Sequence, residues 1–106
     1  MKTKFQLVFQ FPAKTLEDFD RLTALEEAIY VELKGSKETK LDGHDCGRGE
    51  YNIFLHTNNP QADFAKFADL IGQFSPDLAF SAGYRSFEDD KYTALWPASF
   101  TTFSVA

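Results

Sequence analysis

The chain has a single cysteine, Cys46, so no disulfide can form within it. It also lacks long apolar runs. The longest uninterrupted one is four residues, Ala28 to Val31, against the ~20 that a membrane-spanning helix needs. Positive charge is sparse: eleven Lys and Arg face sixteen Asp and Glu, for a net charge of −5 and a pI near 4.9. The basic residues are scattered from Lys2 to Lys91 and form no stripe. Displacing counterions from phosphates takes clustered basic side chains, so nucleic acid and anionic membranes are excluded as expected partners. The start, Met1-Lys2-Thr3-Lys4, is basic, but Gln6 and Gln10 interrupt the apolar stretch after it and no small-residue cleavage site follows. The expectation is a small acidic protein of the cytoplasm, with residues 1–106 forming one domain.

What the chain does have is aromatic bulk: twelve Phe, four Tyr and one Trp. Phe has no polar handle, so most of it belongs in a core or a contact surface. Phe5, Leu7, Phe9 and Phe11 alternate with Lys4, Gln6, Val8 and Gln10, the period of a half-buried strand. Thr15 reads as a helix N-cap, with Asp18 completing an imperfect capping box. Phe19, Leu22, Leu25, Ile29 and Leu33 follow at helical spacing until Gly35. Strands are expected near Thr39–Cys46 and Glu50–Thr57. Asn58-Asn59-Pro60 opens a second helix with the stripe Phe64, Phe67, Ala68, Ile71 and Phe74, closed by Ser75-Pro76-Asp77. A fourth strand spans about Leu78 to Phe87, and Tyr92 to Trp96 reads as a short fifth one stopped by Pro97. The tail alternates weakly through Phe100, Phe103 and Val105 and fits no element.

The order β-α-β-β-α-β, with right-handed crossovers, predicts an α+β sandwich of ferredoxin-like type. It has a four-stranded antiparallel sheet in the order 4-1-3-2, two helices on one face and a C-terminal extension. Gly47-Arg48-Gly49 reads as a three-residue hairpin loop. In that register Leu41 meets Leu55, Gly43 meets Ile53, and Asp45 meets Tyr51 on the helix side. Lys40 meets His56, Asp42 meets Phe54, His44 meets Asn52, and Cys46 meets Glu50 on the open side. A two-residue loop would shift the pairing and spoil the grouping of Leu41, Ile53 and Leu55.

The open face therefore collects a patch of Asp42, His44, Glu50, Asn52, Phe54 and His56, with Trp96 nearby. Several chemistries fit those residue types. Asp42 and His44 leave one face of a strand, with Glu50 and His56 on the next, and such ligands suit zinc or a similar divalent ion. The spacing is not diagnostic, and a hydrogen-bonded hairpin is the plainer account, so no metal or cofactor is assigned. Cys46 with His44 as its base would be a nucleophile, but i and i+2 on a strand stand about 7 Å apart. The glycines of Gly47-Arg48-Gly49 suit a turn better than a phosphate cradle, because a strand follows, not a helix. Asp45, expected on the core side, would lock the hairpin through loop amides or a Tyr hydroxyl. A lone Phe54 on an acidic chain lacks the several aromatics of RNA-binding sheets. Trp96 is read equally as a partner anchor or as a lid over one end of the core.

The run Asp42-Gly43-His44-Asp45-Cys46-Gly47-Arg48-Gly49-Glu50-Tyr51-Asn52-Ile53-Phe54 resembles a block in a family of short, uncharacterised bacterial proteins. In these, a DGHD stretch precedes a glycine-containing turn and E-x-N-I-F; Leu95-Trp96-Pro97 fits the same pattern. The resemblance implies a ferredoxin-like fold and brings no catalytic assignment. The expected function is a non-enzymatic protein-interaction module, its partner a protein or a second copy in a homodimer. One version is an acidic binder of a basic protein, weakened by salt. The alternatives are a divalent-metal-binding protein and a cofactor-independent enzyme of the dimeric α+β barrel type, for which Asn52, His44, His56 and Trp96 would surround a cavity.

Overall fold

A computed structural model describes residues 3–99 and 101–105. Lys2, at the basic start, and Phe100, in the tail, lie outside the described residues. The elements are β1 (Phe5–Pro12), α1 (Leu16–Leu33), β2 (Thr39–Gly47), β3 (Glu50–Thr57), α2 (Pro60–Phe74), β4 (Ser81–Ser86) and β5 (Thr93–Trp96). They build an α+β structure with one five-stranded antiparallel sheet in the order β2-β3-β1-β4-β5. The first four strands lie in the order expected, and the extension adds β5 beside β4. Among the described residues, no helix is long and apolar enough to cross a membrane.

Both helices start where their caps place them. Thr15 Oγ1 accepts from the Asp18 amide at 3.1 Å, and Asp18 accepts back from the Lys14 and Thr15 amides at 2.9 and 3.2 Å. That is a complete capping box. The Lys14 amide first, then the amide and hydroxyl of Thr15, hold the Asp18 carboxyl below its ordinary value. Asn59 caps α2 through the Ala62 amide at 3.2 Å, with Pro60 in the first turn. Gly35, at φ +83°, takes the chain out of α1.

Leu7, Phe9 and Phe11 of β1, with Tyr51, Ile53 and Leu55 of β3, face the helices and are fully buried. Leu22, Leu25 and Ile29 of α1 and Phe67 and Ile71 of α2 close over them, with Phe64 stacked on Phe9 and Phe80 tilted against it. A buried polar tie fixes the helix entry: Asp63 Oδ2 accepts from Thr39 Oγ1 at 2.6 Å and from Thr57 Oγ1 at 2.5 Å.

The β2–β3 hairpin departs from the expected register. Its loop has two residues, Arg48 and Gly49, both at positive φ (53° and 78°), and Gly47 pairs with Glu50. Positive φ at both loop residues gives the turn the twist of the flanking strands. The grouping survives because a bulge at Asp42–Gly43 inserts one residue, with Gly43 at φ +131°. Lys40 and Leu41 keep their expected partners, His56 and Leu55. Beyond the bulge each residue slips by one: Gly43 meets Phe54, His44 meets Ile53, Asp45 meets Asn52, and Cys46 meets Tyr51.

Candidate functional site

The slip turns His44 to the helix side. Its Nδ1 stands 2.7 Å from Glu26 Oε1 of α1, and its ring stacks on Tyr51 at 4.6 Å. The same Glu26 oxygen accepts from the Tyr51 hydroxyl at 2.6 Å. Desolvation first, then the hydrogen bond to Glu26, push the Tyr51 hydroxyl far above its usual value. His44 is thus not part of the open face, and the cluster pins α1 to the hairpin. Asp45 is corrected in the other direction. It lies exposed on the open side, where Asn52 Nδ2 donates to its Oδ1 at 3.1 Å.

The face away from the helices is organised in three rows across the strands. The upper row is Asp45, Asn52, Gln10 and Ser81. Gln10 Nε2 donates to Asn52 Oδ1 at 3.0 Å, and Ser81 Oγ donates to Gln10 Oε1 at 3.3 Å. Asn52 is fully buried in this ladder and has no free polar atom to offer a ligand. The middle row is apolar or small: Gly43, Phe54, Val8, Gly83 and Ala94. The tail lies on it. Phe103, almost wholly buried, sits directly on Gly83 and edge-on to Tyr92 at 5.4 Å, and Gln10 Nε2 donates to the Ser104 carbonyl at 3.0 Å. Val8 is 0% exposed although it points away from the helices. The chain itself therefore covers the middle row at Val8 and Gly83.

The lower row stays open. It runs Lys40, His56, Gln6 and Arg85, with Asp42 of the bulge and Tyr92 at its two ends. His56 Nε2 stands 3.3 Å from Asp42 Oδ2. Gln6 Oε1 accepts from the Tyr92 hydroxyl at 2.6 Å and from Arg85 Nε at 3.2 Å. Arg85 Nη1 also donates to the Asp89 carbonyl at 3.1 Å. Phe87, just past β4, is held from two sides. The His56 ring meets it edge-on at 4.9 Å, and the Arg85 guanidinium lies 5.7 Å from its centroid. Phe87 is still 40% exposed, at the mouth of a groove of about 840 Å³ lined by Thr3, Lys4, Phe5, His56, Ser86, Phe87 and Glu88.

The seven sequence-predicted residues are thus dispersed. Asp42, Phe54 and His56 share the lower and middle open face. Asn52 is structural, and Glu50 sits six positions along β3 from His56, about 20 Å away by strand rise. His44 is on the opposite side. Trp96, 43% exposed, lies on the helix side of β5 with its ring 6.4 Å from those of Phe64 and Phe80, so it flanks one end of the core. Among the described residues no group of three His, Cys, Asp or Glu is placed to hold a metal. Asp42, His44, Glu50 and His56, the set weighed as a metal site, do not converge. The barrel-type cavity meets the same obstacle: the space between sheet and helices is filled by Phe9, Leu25, Ile29 and Phe67. Cys46 is exposed, but partial burial first, then the Asp45 and Glu26 carboxylates, raise its thiol away from thiolate formation.

Sequence reading missed Glu26, Phe87 and Tyr92. Glu26 had a signal, since it falls inside the Leu22–Leu25–Ile29 stripe where a carboxylate needs a partner. Phe87 and Tyr92 flank the acidic Glu88-Asp89-Asp90 turn and had none. The chain matches no protein-family model, no curated protein and no solved structure.

Proposed function

We propose that the chain is a non-enzymatic protein-interaction domain, with a ferredoxin-like core, that reads its partner through the lower open row of the sheet. The observation that carries this is Phe87. An exposed aromatic ring that neighbours already hold loses little freedom on docking, and aromatic and Arg side chains dominate binding at interface centres. Phe87 is such a ring, clamped by His56 and Arg85 beside a groove with room for a partner's side chain. The tail occupies the middle row, where a twin sheet would need to lie, which favours a different protein over a second copy. The chain's net charge is −5, but this row carries Lys40 and Arg85 with Asp42 at its end, so charge at the contact is mixed and the aromatic ring carries the reading.

The test is affinity capture from the source lysate with the full chain, read by native mass measurement. A stoichiometric protein is expected with wild type. It should be lost with Phe87→Asp and kept with Phe74→Asp, an exposed aromatic at the far end of α2. Capture that ignores Phe87→Asp, or a small molecule bound in place of a protein, refutes the reading.

A further inference from the structure

A second surface lies on the opposite edge of the hairpin. β2 is an edge strand, flanked by β3 alone. Alternate backbone groups of an edge strand point away from the sheet. The Thr39 amide donates to Ser36 Oγ at 3.2 Å. Beyond it, among the described residues, no turn, loop or cap bond engages the outward backbone as far as Leu41. Alongside this stretch runs a groove of about 310 Å³ between the end of α1 and the start of β2. Its lining is Tyr30 and Leu33 from α1, Lys34, Gly35 and Ser36 from the connection, and Thr39, Lys40 and Leu41 from β2. Tyr30 is 49% exposed, and two apolar side chains, Leu33 and Leu41, form the floor.

The charge of the lining singles out an occupant. It contains two lysines and no carboxylate, in a chain whose net charge is −5; the rest of the connection adds one charge of each sign, Lys37 and Glu38. Lysines on an edge also deter sheet pairing. Deterrence alone, however, does not call for an apolar trough beside the strand. We propose that this edge binds an extended acidic peptide of a partner protein by strand addition. The peptide backbone pairs with β2 as far as Leu41, one aliphatic side chain enters between Tyr30, Leu33 and Leu41, and flanking carboxylates meet Lys34 and Lys40. The bulge at Asp42–Gly43 breaks the regular edge and limits the pairing to a few residues, which favours a short peptide over a whole partner sheet.

The groove shares Lys40 with the lower open row but not Phe87, so the response to Phe87 separates the two sites. Random linear peptides displayed on phage are panned against the immobilised full chain, and one enriched peptide is resynthesised with a fluorophore. The enriched sequences are expected to alternate aliphatic and acidic residues. Binding should weaken ~10-fold or more in the double variant Lys34→Glu and Lys40→Glu, and should fall with salt. It should be unchanged by Phe87→Ala. Both lysines are exposed, so the double variant should still fold; because Lys34 caps the end of α1, its unfolding is measured beside Lys34→Gln and Lys40→Gln, which remove the charges without opposing the helix dipole. Peptide binding should slow hydrogen exchange at the outward β2 amides. Absence of enrichment, enrichment without acidic bias, indifference to the double reversal, or protection mapping elsewhere overturns the proposal. So does a concentration-dependent dimer that protects the same amides, which would make the occupant a second copy.

Discussion

Gly83 has no room for a side chain. A Cβ there would lie 2.6 Å from two ring carbons of Phe103, a separation that side chains do not adopt. Ring and glycine therefore form one complementary contact, and it is this contact that seats the tail on the sheet. Gly83→Ala must lift the ring, at a cost of about 1–3 kcal/mol typical of overpacking. In a Phe103→Ala background the same change meets an empty place and should be nearly neutral. Urea denaturation of the two single variants and the double variant measures the difference. Additive effects would show that the tail is not seated there. A lone glycine in a strand announces a close approach without saying by what. Phe103 likewise showed only weak alternation in sequence. The two positions are twenty residues apart, and neither names the other. Contacts of this kind are invisible to local pattern, which is why the tail fitted no element and the covering of Val8 went unforeseen.

At the scale of the element, both helices, four strands and their order were legible, because caps, stripes and alternation are local signals that the fold here obeys. The hairpin was not. Hydrophobic grouping constrains only the sum of loop length and bulge. A three-residue loop in a regular strand, and a two-residue loop with one bulged residue, both keep Leu41, Ile53 and Leu55 together. They differ in where His44 and Asp45 point, which is where the candidate site was placed. The glycines hold the deciding information. Gly49 at φ +78° lies in the left-handed region, and adding a Cβ meets only the Lys14 side chain at 3.8 Å. Gly49→Ala should therefore cost about 1 kcal/mol, from backbone conformation alone. Gly43 at φ +131° lies outside the left-handed region, where glycine alone is at ease. Gly43→Ala should cost more, about 1–3 kcal/mol, although no atom lies within 4 Å of the added Cβ. Chemical denaturation ranks the two. Because the bulge sets the face of His44, Gly43→Ala should also disturb the stacking of His44 on Tyr51, read from the ring proton shifts, while Gly49→Ala leaves it intact. The reverse ranking would place the pivot of the hairpin in its turn.

For the whole molecule, the ionisable ties that hold the helices set a window of pH. Asp18 caps α1, and Asp77 accepts from Arg21 of α1 at 2.8 Å and from Ser75, just past α2, at 2.8 Å, so it links the two helices. Hydrogen bonding holds both carboxyls below their ordinary value, for Asp77 chiefly through the Ser75 hydroxyl. A carboxyl that binds its proton less tightly when folded stabilises the fold above its unfolded value. That contribution fades as pH drops through the depressed folded one. The opposite limb belongs to Tyr51, whose hydroxyl is pushed up by burial and by Glu26. Its contribution is complete below the ordinary tyrosine value of about 10 and is lost as pH climbs beyond it, because the unfolded chain can then release a proton that the folded chain retains. Stability from urea titrations should thus form a plateau through the neutral range with two separable edges. Asp18→Asn and Asp77→Asn should flatten the acid edge and leave the alkaline one in place; Tyr51→Phe should flatten the alkaline edge alone. If Tyr51→Phe leaves the alkaline edge unchanged, the remaining cause is self-repulsion of an already acidic chain. That would return the Glu26–His44–Tyr51 cluster to the status of a packing contact.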